Sequence, residues 1–346
     1  MLLSKPVSPN SQTNHLFTCQ QGFEPLLTGE LQQHGFQPLE SGSGWVYAAG
    51  SGETGLCFAW LQMKDVSVFD VPSVNAQATG LLDFFISQIR GVQLPEGWPL
   101  VFRFAAEEKG LGQRTKALEK EFRARLKKRM ARLERTAADE LSRGSAEQQG
   151  LFIFMAGFSK LFAAVTVQSG GQQRMADDPA APSRSYLKTE EAFAVLGIEP
   201  SPGETVVDLG AAPGGWSYSA AKRGASVTAI DNGPMKGGAK DHPLIRHLRE
   251  DAFKFMPAAG ECYHWLFCDL VEDPYHVMQL IERWLRGKHC RRFVVNLKFG
   301  RADALGLLAK VLDPNGRLRP HCTTLTVRHL FHDRDEFTLV GEVRCE

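Results

Sequence analysis

Paired cysteines are missing from this sequence. The seven cysteines, at 19, 57, 262, 268, 290, 322 and 345, form no CxxC or other metal-ligand spacing. An odd, scattered set reads as reduced thiols, with no disulfide framework and no metal site. A strong charge balance is missing too: 40 Lys and Arg stand against 39 Asp and Glu, a net charge of +1. A polyanionic partner would therefore have to be met by local clustering. No apolar run reaches the length of a membrane span. The most apolar window, LFIFMAGFSKLFAAVTV from Leu151, contains Lys160 and reads as two core strands. The opening MLLSKPVSPNSQ lacks the apolar h-region of a signal peptide, and no stretch repeats. These absences set the expectation of a cytoplasmic protein, free of membrane and metal, with a monomer as its expected state.

What is present is enough chain for two cores: 346 residues, 43% apolar and 23% charged. In the first half, HLFTCQ (15–20) reads as a strand and FEPLLTGELQQHG (23–35) as a helix ended by Gly35. GWVYAA, CFAWLQ and PLVFRFAAE have strand composition, and ATGLLDFFISQIRG is an amphipathic helix. Leu118, Phe122, Leu126, Met130 and Leu133 recur at steps of three and four, the spacing of a long helix. The reading is a mixed α/β domain over 1–168. SGGQQRMADDPAAPSRS (169–185), rich in small residues and proline, reads as a linker. A second domain fills 186–346.

There the pattern alternates: helix 186–196, strand 204–209, helix 215–223, strand 226–231, strand 263–270, helix 275–286, strand 292–299 and helix 302–312. Two closing strands, TLTVRHLF and EFTLVGEV, form a hairpin-like pair. Alternation with apolar strands predicts a Rossmann-like α/β sheet, parallel with one antiparallel strand. Ligands of such sheets collect beyond the carboxyl ends of the strands. Gly210, Asp231, Asp269 and Lys298 end predicted strands there, and Glu336 begins the antiparallel one on the same rim. Asp335 competes with Glu336 for that place. Lys188, in the helix before the first strand, reaches the rim from the side.

The first turn, DLGAAPGGWS, departs from the G-x-G-x-x-G spacing of a dinucleotide site. Its glycines permit close backbone approach, and Asp231 follows at about 20 residues, placed to accept ribose hydroxyls. An adenosine cofactor without a pyrophosphate, S-adenosylmethionine, fits that combination.

Lys188, Asp269, Lys298 and Glu336 resemble the K-D-K-E tetrad of the FtsJ-type RNA ribose 2′-O-methyltransferases, and DLGAAPGGWS is similar to that family's cofactor loop. APSRSYLKTEEAF, AIDNGPM, LREDAFKF, CDLVEDP, NLKF and LFHDRDEFTL resemble the members that act on a cytidine of bacterial 23S ribosomal RNA. The resemblance spans roughly 180–346. It implies S-adenosylmethionine contacts at Ser185, Gly210, Ala212, Pro213, Gly214, Gly215, Asp231, Asp251 and Asp269. It implies Lys298 as general base, and a THUMP-type RNA-binding domain at the N-terminus.

Ten basic residues lie between Arg114 and Arg135 (114, 116, 120, 123, 125, 127, 128, 129, 132, 135) against Glu119, Glu121 and Glu134. Helix 114–135 is thus the expected contact for RNA, 23S rRNA or its precursor. His329, His332 and Asp333 have metal-like spacing but alternate in face and read as structural. Cys268, next to Asp269, points into the sheet by strand alternation and reads as core rather than as a nucleophile. Two other functions stay open: a catalytically idle RNA-binding relative, and a methyltransferase acting on a small molecule or protein.

Overall fold

The computed structural model describes residues 13–52, 55–258, 260–300 and 302–344. The opening segment read as lacking a leader, and Cys345, lie outside them. The chain parts between Gly170 and Gly171 into two compact units.

The first unit runs β1 (Asn14–Thr18), α1 (Glu24–Gln33), β2 (Gln37–Gly42), β3 (Trp45–Ala49), β4 (Leu61–Lys64), β5 (Ser67–Asp70), α2 (Val74–Gln88), β6 (Trp98–Phe104), α3 (Leu111–Arg135), β7 (Ala137–Ala138), β8 (Glu147–Met155) and β9 (Lys160–Ser169). Its strands form a mixed sheet in the order β2-β3-β1-β4-β9-β8-β6-β7, with β5 beside β9. The apolar spacing of α3 buries Leu118, Phe122 and Leu126 as predicted, and Phe85 of α2 packs between Phe122 and Trp98. CFAWLQ is a strand only from Leu61. Before it, the buried carboxylate of Glu30 accepts the Cys57 N–H at 2.6 Å and the Phe58 N–H at 3.0 Å, which takes those groups out of any ladder. Strand β2 was not predicted, because QPLESG lacks apolar density; it is held by its pairing with β3.

The second unit runs α4 (Tyr186–Leu196), β10 (Thr205–Leu209), α5 (Gly215–Ala221), β11 (Ser226–Ile230), β12 (Ile245–Leu248), β13 (Tyr263–Cys268), α6 (Pro274–Arg286), β14 (Cys290–Lys298), α7 (Ala304–Leu312), β15 (Cys322–Arg328) and β16 (Glu336–Val343). The sheet order is β12-β11-β10-β13-β14-β16-β15. Among the described residues β16 alone runs against the direction of the other strands of this sheet, as the closing pair of strands predicted. Strand β12 was missed because IRHL is short and half polar. Apolar side chains fill both faces: Trp265 and Phe267 of β13 pack on Phe193 of α4, and Phe267 on Trp216 of α5. Asp273 caps α6 by accepting the Tyr275 and His276 N–H groups, and Pro274 opens the helix. No described helix is long and apolar enough to cross a membrane.

Residues 171–185 form no helix or strand, yet they are pinned to the second unit. The Gln173 N–H reaches Glu191 at 3.0 Å, the Met175 N–H reaches His332 Nε2 at 2.9 Å, and the Gly238 N–H reaches the Ala180 carbonyl at 2.8 Å. Backbone anchoring of this kind fixes the entry to α4 without regular structure.

Among the described residues, the tightest backbone approach at a glycine of the second unit's sheet lies at Gly341, in the middle of β16. A Cβ there would stand 2.2 Å from the Thr324 carbonyl oxygen and 2.8 Å from Phe293 Cζ. Gly341→Ala is expected to lower stability by roughly 1–3 kcal/mol, the range for overpacking, read as a fall in the urea midpoint. An unchanged midpoint would show that β15 shifts to admit the methyl group.

Candidate active site

Register brings the site together. Strands β10 and β13 pair in parallel with Leu209 opposite Cys268, and β13 pairs β14 with Cys268 opposite Val295. Asp269 therefore leaves the sheet next to Gly210, and Lys298 stands at the end of β14 on the same rim. Lys298 lies directly opposite Glu336 across the antiparallel β14–β16 pair. Helix α4 delivers Lys188 from the side.

The four side chains form one chain of alternating charge. Lys298 is ion-paired with Asp269. The same Asp269 oxygen lies 4.0 Å from Lys188 Nζ, which reaches Glu336 at 2.5 Å. Lys188 and Glu336 are buried, and Lys298 is the more exposed lysine at 22% against 11% for Lys188. Burial alone would lower the Lys188 ammonium, but Asp269, Glu336 and Asp333 outweigh it and hold it above the ordinary lysine value. Burial pushes the Glu336 carboxyl up, and Lys188, with Lys298 farther off, pulls it below its ordinary value. Asp335 does not displace Glu336: it is the Glu336 carboxylate that pairs with Lys188, while the Asp335 carbonyl accepts the Phe299 N–H.

Two further acids hold this chain in place, Glu191, which sequence reasoning passed over, and Asp333, which it read as structural. Glu191, one turn after Lys188 on α4, is buried and accepts three backbone N–H groups: Phe331 at 2.7 Å, Gln173 at 3.0 Å and His332 at 3.1 Å. It ties α4 to the loop that leads into Glu336. Asp333, on that loop, accepts the Leu330 N–H at 2.9 Å and the Thr338 hydroxyl at 3.1 Å. The sequence signal that could have marked Glu191 is its i+3 spacing from Lys188. The His329, His332 and Asp333 trio serves this loop, His329 Nε2 meeting the Arg334 carbonyl at 2.9 Å. Cys268 is fully buried, and desolvation pushes its thiol up to about 12, which suits a core residue.

The glycine turn uses its own amides. Gly210 and Ala211 donate to the Ile230 carbonyl at 3.0 and 3.3 Å, Ala212 to the Asp231 carboxylate at 3.1 Å, and Gly214 to the Ala211 carbonyl at 2.6 Å; Pro213 has no N–H. No amide from 210 to 214 is left for a phosphate. Gly214 has φ +106°, and a Cβ there would lie 2.5 Å from that of Ala239. Each Asp231 oxygen accepts one N–H, from Ala212 or Gly233, and keeps a further lone pair for a hydroxyl. Ser185 stands against this turn, its hydroxyl 2.7 Å from that of Ser183 and its carbonyl accepting the Trp216 indole N–H at 3.0 Å. Asp251 accepts the Phe253 N–H at 2.9 Å and pairs with Lys254 at 3.5 Å. Behind the turn, Asp208 is fully buried on the Ser217 hydroxyl at 2.6 Å.

Burial pushes Asp208 and Asp333 up to about 7, and Glu191 to about 8. A carboxyl whose folded-state pKa lies above its unfolded value binds a proton only in the folded protein between the two, so stability falls as pH rises through that interval. The buried His329, lowered to about 4, acts in the opposite sense, but only below the unfolded histidine value of about 6.5. Between pH 6.5 and 8 the thermal midpoint is therefore expected to fall, and Glu191→Gln to flatten that fall. A midpoint that rises across this window would contradict the assignment of buried neutral acids.

Residues 181–283 match the family described as FtsJ-like methyltransferase. The chain is 45% identical over 168 residues to a protein of Laribacter hongkongensis named ribosomal RNA large subunit methyltransferase M, the match covering 46% of this chain and 47% of that protein. It is 43% identical over 162 residues to the Halorhodospira halophila protein of the same name, covering 46% of each. Against the Idiomarina loihiensis protein of that name identity is 38% over 184 residues, half of each chain. The chain spans about half the length of the curated relatives it matches. The family match takes in Ser185, Lys188, the turn, Asp231, Asp251 and Asp269, while Lys298 and Glu336 lie beyond it. The stretch that is similar to the FtsJ-like methyltransferase family thus falls within the second unit.

Proposed function

We propose that this protein is an RNA ribose 2′-O-methyltransferase dependent on S-adenosylmethionine, acting in the cytoplasm on 23S ribosomal RNA or its precursor at a cytidine. The observation that carries this reading is the alternating chain Lys298–Asp269–Lys188–Glu336 at the rim beside the glycine turn. The names of the relatives support the ribosomal substrate.

The donor set fits the cofactor. With the amides of 210–214 satisfied internally, the turn suits a ligand without a pyrophosphate, and Asp231 keeps acceptors for a ribose diol. Ser185, Gly210, Ala212, Pro213, Gly214, Gly215, Asp231, Asp251 and Asp269 would hold it. When bound, S-adenosylmethionine supplies an electrophilic methyl group on a sulfonium.

A ribose hydroxyl is a weak nucleophile until its proton leaves, so a positioned base is required. Lys298, at the mouth of the site and paired with one carboxylate, is the group placed to take that proton in its neutral form. Lys188 stays charged beside Asp269 and Glu336 and fixes Asp269 between the two lysines. Asp269 and Glu336 orient the lysines. The N-terminal unit, of THUMP type in this reading, holds RNA through the basic helix α3.

Calorimetry of the full chain with S-adenosylmethionine and with NAD tests the cofactor: the first is expected to bind and the second not. Asp231→Ala is expected to weaken S-adenosylmethionine by about 1.5–3 kcal/mol, the range for hydrogen bonds to a charged group. Lys298→Arg keeps the charge but cannot give up a proton near neutral pH. With fold and cofactor binding intact, methyl transfer to ribosomal RNA is expected to drop at least about 100-fold. Near-wild-type transfer by Lys298→Arg would make Lys298 a positioning residue. Cofactor and RNA binding without any transfer by the wild-type chain would favour an idle relative.

A further inference from the structure

The ten cations of α3 are not equivalent. Arg114 donates to the Phe158 carbonyl at 3.2 Å, Arg123 pairs with Glu119 at 2.9 Å and Asp139 at 2.5 Å, and Arg125 pairs with Glu121 at 2.7 Å. These three are spent inside the unit. Among the described residues Lys116, Lys120, Lys127 and Lys128 make no ion pair, and at the end of the helix the arginines too are loosely held or unpaired. Arg129 has a looser pair with Asp83 at 3.6 Å, and Arg132 and Arg135 make no ion pair among the described residues.

That end borders a groove of about 1100 Å³, formed with the end of α2 and the segment that follows it. Four arginines line it, Arg90, Arg129, Arg132 and Arg135, against a single acid, Glu96. Its remaining surface is largely aliphatic, with Ile89, Leu94 and Met130, and with Val92, 49% exposed. A smaller cavity of about 350 Å³ shares Arg132 and Arg135 and adds Lys127, with Glu134 as its acid. The two arginines thus form a wall common to both. Helix α3 leaves helical geometry at Met130 (φ −148°, ψ 62°), at the groove itself. Breaks of this kind in a helix have a specific local cause and recur at functional sites.

We infer that this groove binds an unpaired segment of RNA, with a base against the aliphatic surface and phosphates on Arg90, Arg132 and Arg135. The inference rests on the reading of the chain as an RNA enzyme and names where and in what form the RNA is held. A duplex offers phosphates at its surface and keeps its bases stacked inside, so it would leave the aliphatic surface unused. A single strand offers both a flat base and a phosphate per nucleotide, which matches apolar surface interleaved with arginine. Guanidinium groups also stack on bases while binding phosphate oxygens in pairs. An acidic protein segment would satisfy the charges but not the need for a flat apolar group beside each one.

The test uses the full chain and fluorescence anisotropy with a labelled twelve-nucleotide oligouridylate, an RNA duplex of equal length, and polyglutamate as competitor, across a salt series. The variant Arg132→Glu/Arg135→Glu is compared with Lys109→Glu/Arg143→Glu, which makes the same charge change at exposed positions away from the groove. The groove variant is expected to bind the single strand at least tenfold more weakly, with a salt slope smaller by about 0.7 for each lost phosphate contact. The control pair is expected to stay within twofold of the unaltered chain, and thermal midpoints of both variants to match it. Equal loss in the control, preference for the duplex, or displacement by polyglutamate as readily as by RNA would overturn the groove assignment. Labelled-methyl transfer to ribosomal RNA, run alongside, separates the two levels. Transfer by the wild type with unchanged oligonucleotide binding in the groove variant refutes the groove alone. A wild-type chain that neither binds RNA nor transfers methyl refutes the enzyme reading and the groove together.

Discussion

One carboxylate, that of Asp269, stands between two lysines, and the geometry of the second unit serves that arrangement. Lys298 is ion-paired to it, and Lys188 lies 4.0 Å from the same oxygen. Two ammonium groups this close repel each other, and only the intervening negative charge lets both stay. A buried ion pair is costly unless its remaining bonding capacity is met. Here Glu336 meets it for Lys188, and Glu191 and Asp333 hold the elements that carry both partners. Removing any link would leave a charge in the rim without its counter-charge, so the four residues act as a unit rather than as independent contributors.

The sheet supplies this geometry through register. A parallel strand delivers its last residue to the rim, as β13 and β14 do near Asp269 and Lys298. On the other side of β14 the neighbour β16 runs antiparallel, so the residue it brings to that rim is its first, Glu336, opposite Lys298. A slip of one residue would turn Glu336 to the opposite face and bring Asp335 or Phe337 into its place. Gly341, five residues on, keeps β16 close to β15 and Phe293, so packing in the middle of the strand guards the register at its beginning.

Much of this was legible in the sequence because it depends on local pattern. Alternating apolar strands and helices gave the C-terminal sheet, and polar residues at strand ends gave the rim, down to the choice of Glu336 over Asp335. What escaped was decided by tertiary partners. Cys57 and Phe58 have strand composition, but Glu30 takes their N–H groups. Strand β12 has little apolar signal and exists through its parallel pairing with β11. Residues 171–185 read as a linker, yet side chains and a backbone N–H far along the chain bind their backbone. Glu191 was invisible as a structural acid because its three partners lie far from it in sequence. The ten cations of α3 were equal in composition and unequal in space, since only the acids and carbonyls around them decide which are free.

The same logic of used and unused groups bears on the cofactor. A loop that binds phosphate must offer N–H groups to an anion. This turn gives them to Ile230, Asp231 and Ala211 instead, and it places the Asp231 carboxylate where it would repel a phosphate. Asp208, buried behind the turn with its carboxyl pushed up to about 7, adds a group that a nearby anion would push higher still. A cationic sulfonium meets the opposite conditions: amides of 210–214 already used within the protein, carboxylates near the rim, and lysines tied to their own counter-charges. The electrostatics of the turn therefore favour a cofactor that brings positive charge, and they do so through hydrogen bonds internal to the protein rather than through contacts reserved for a ligand.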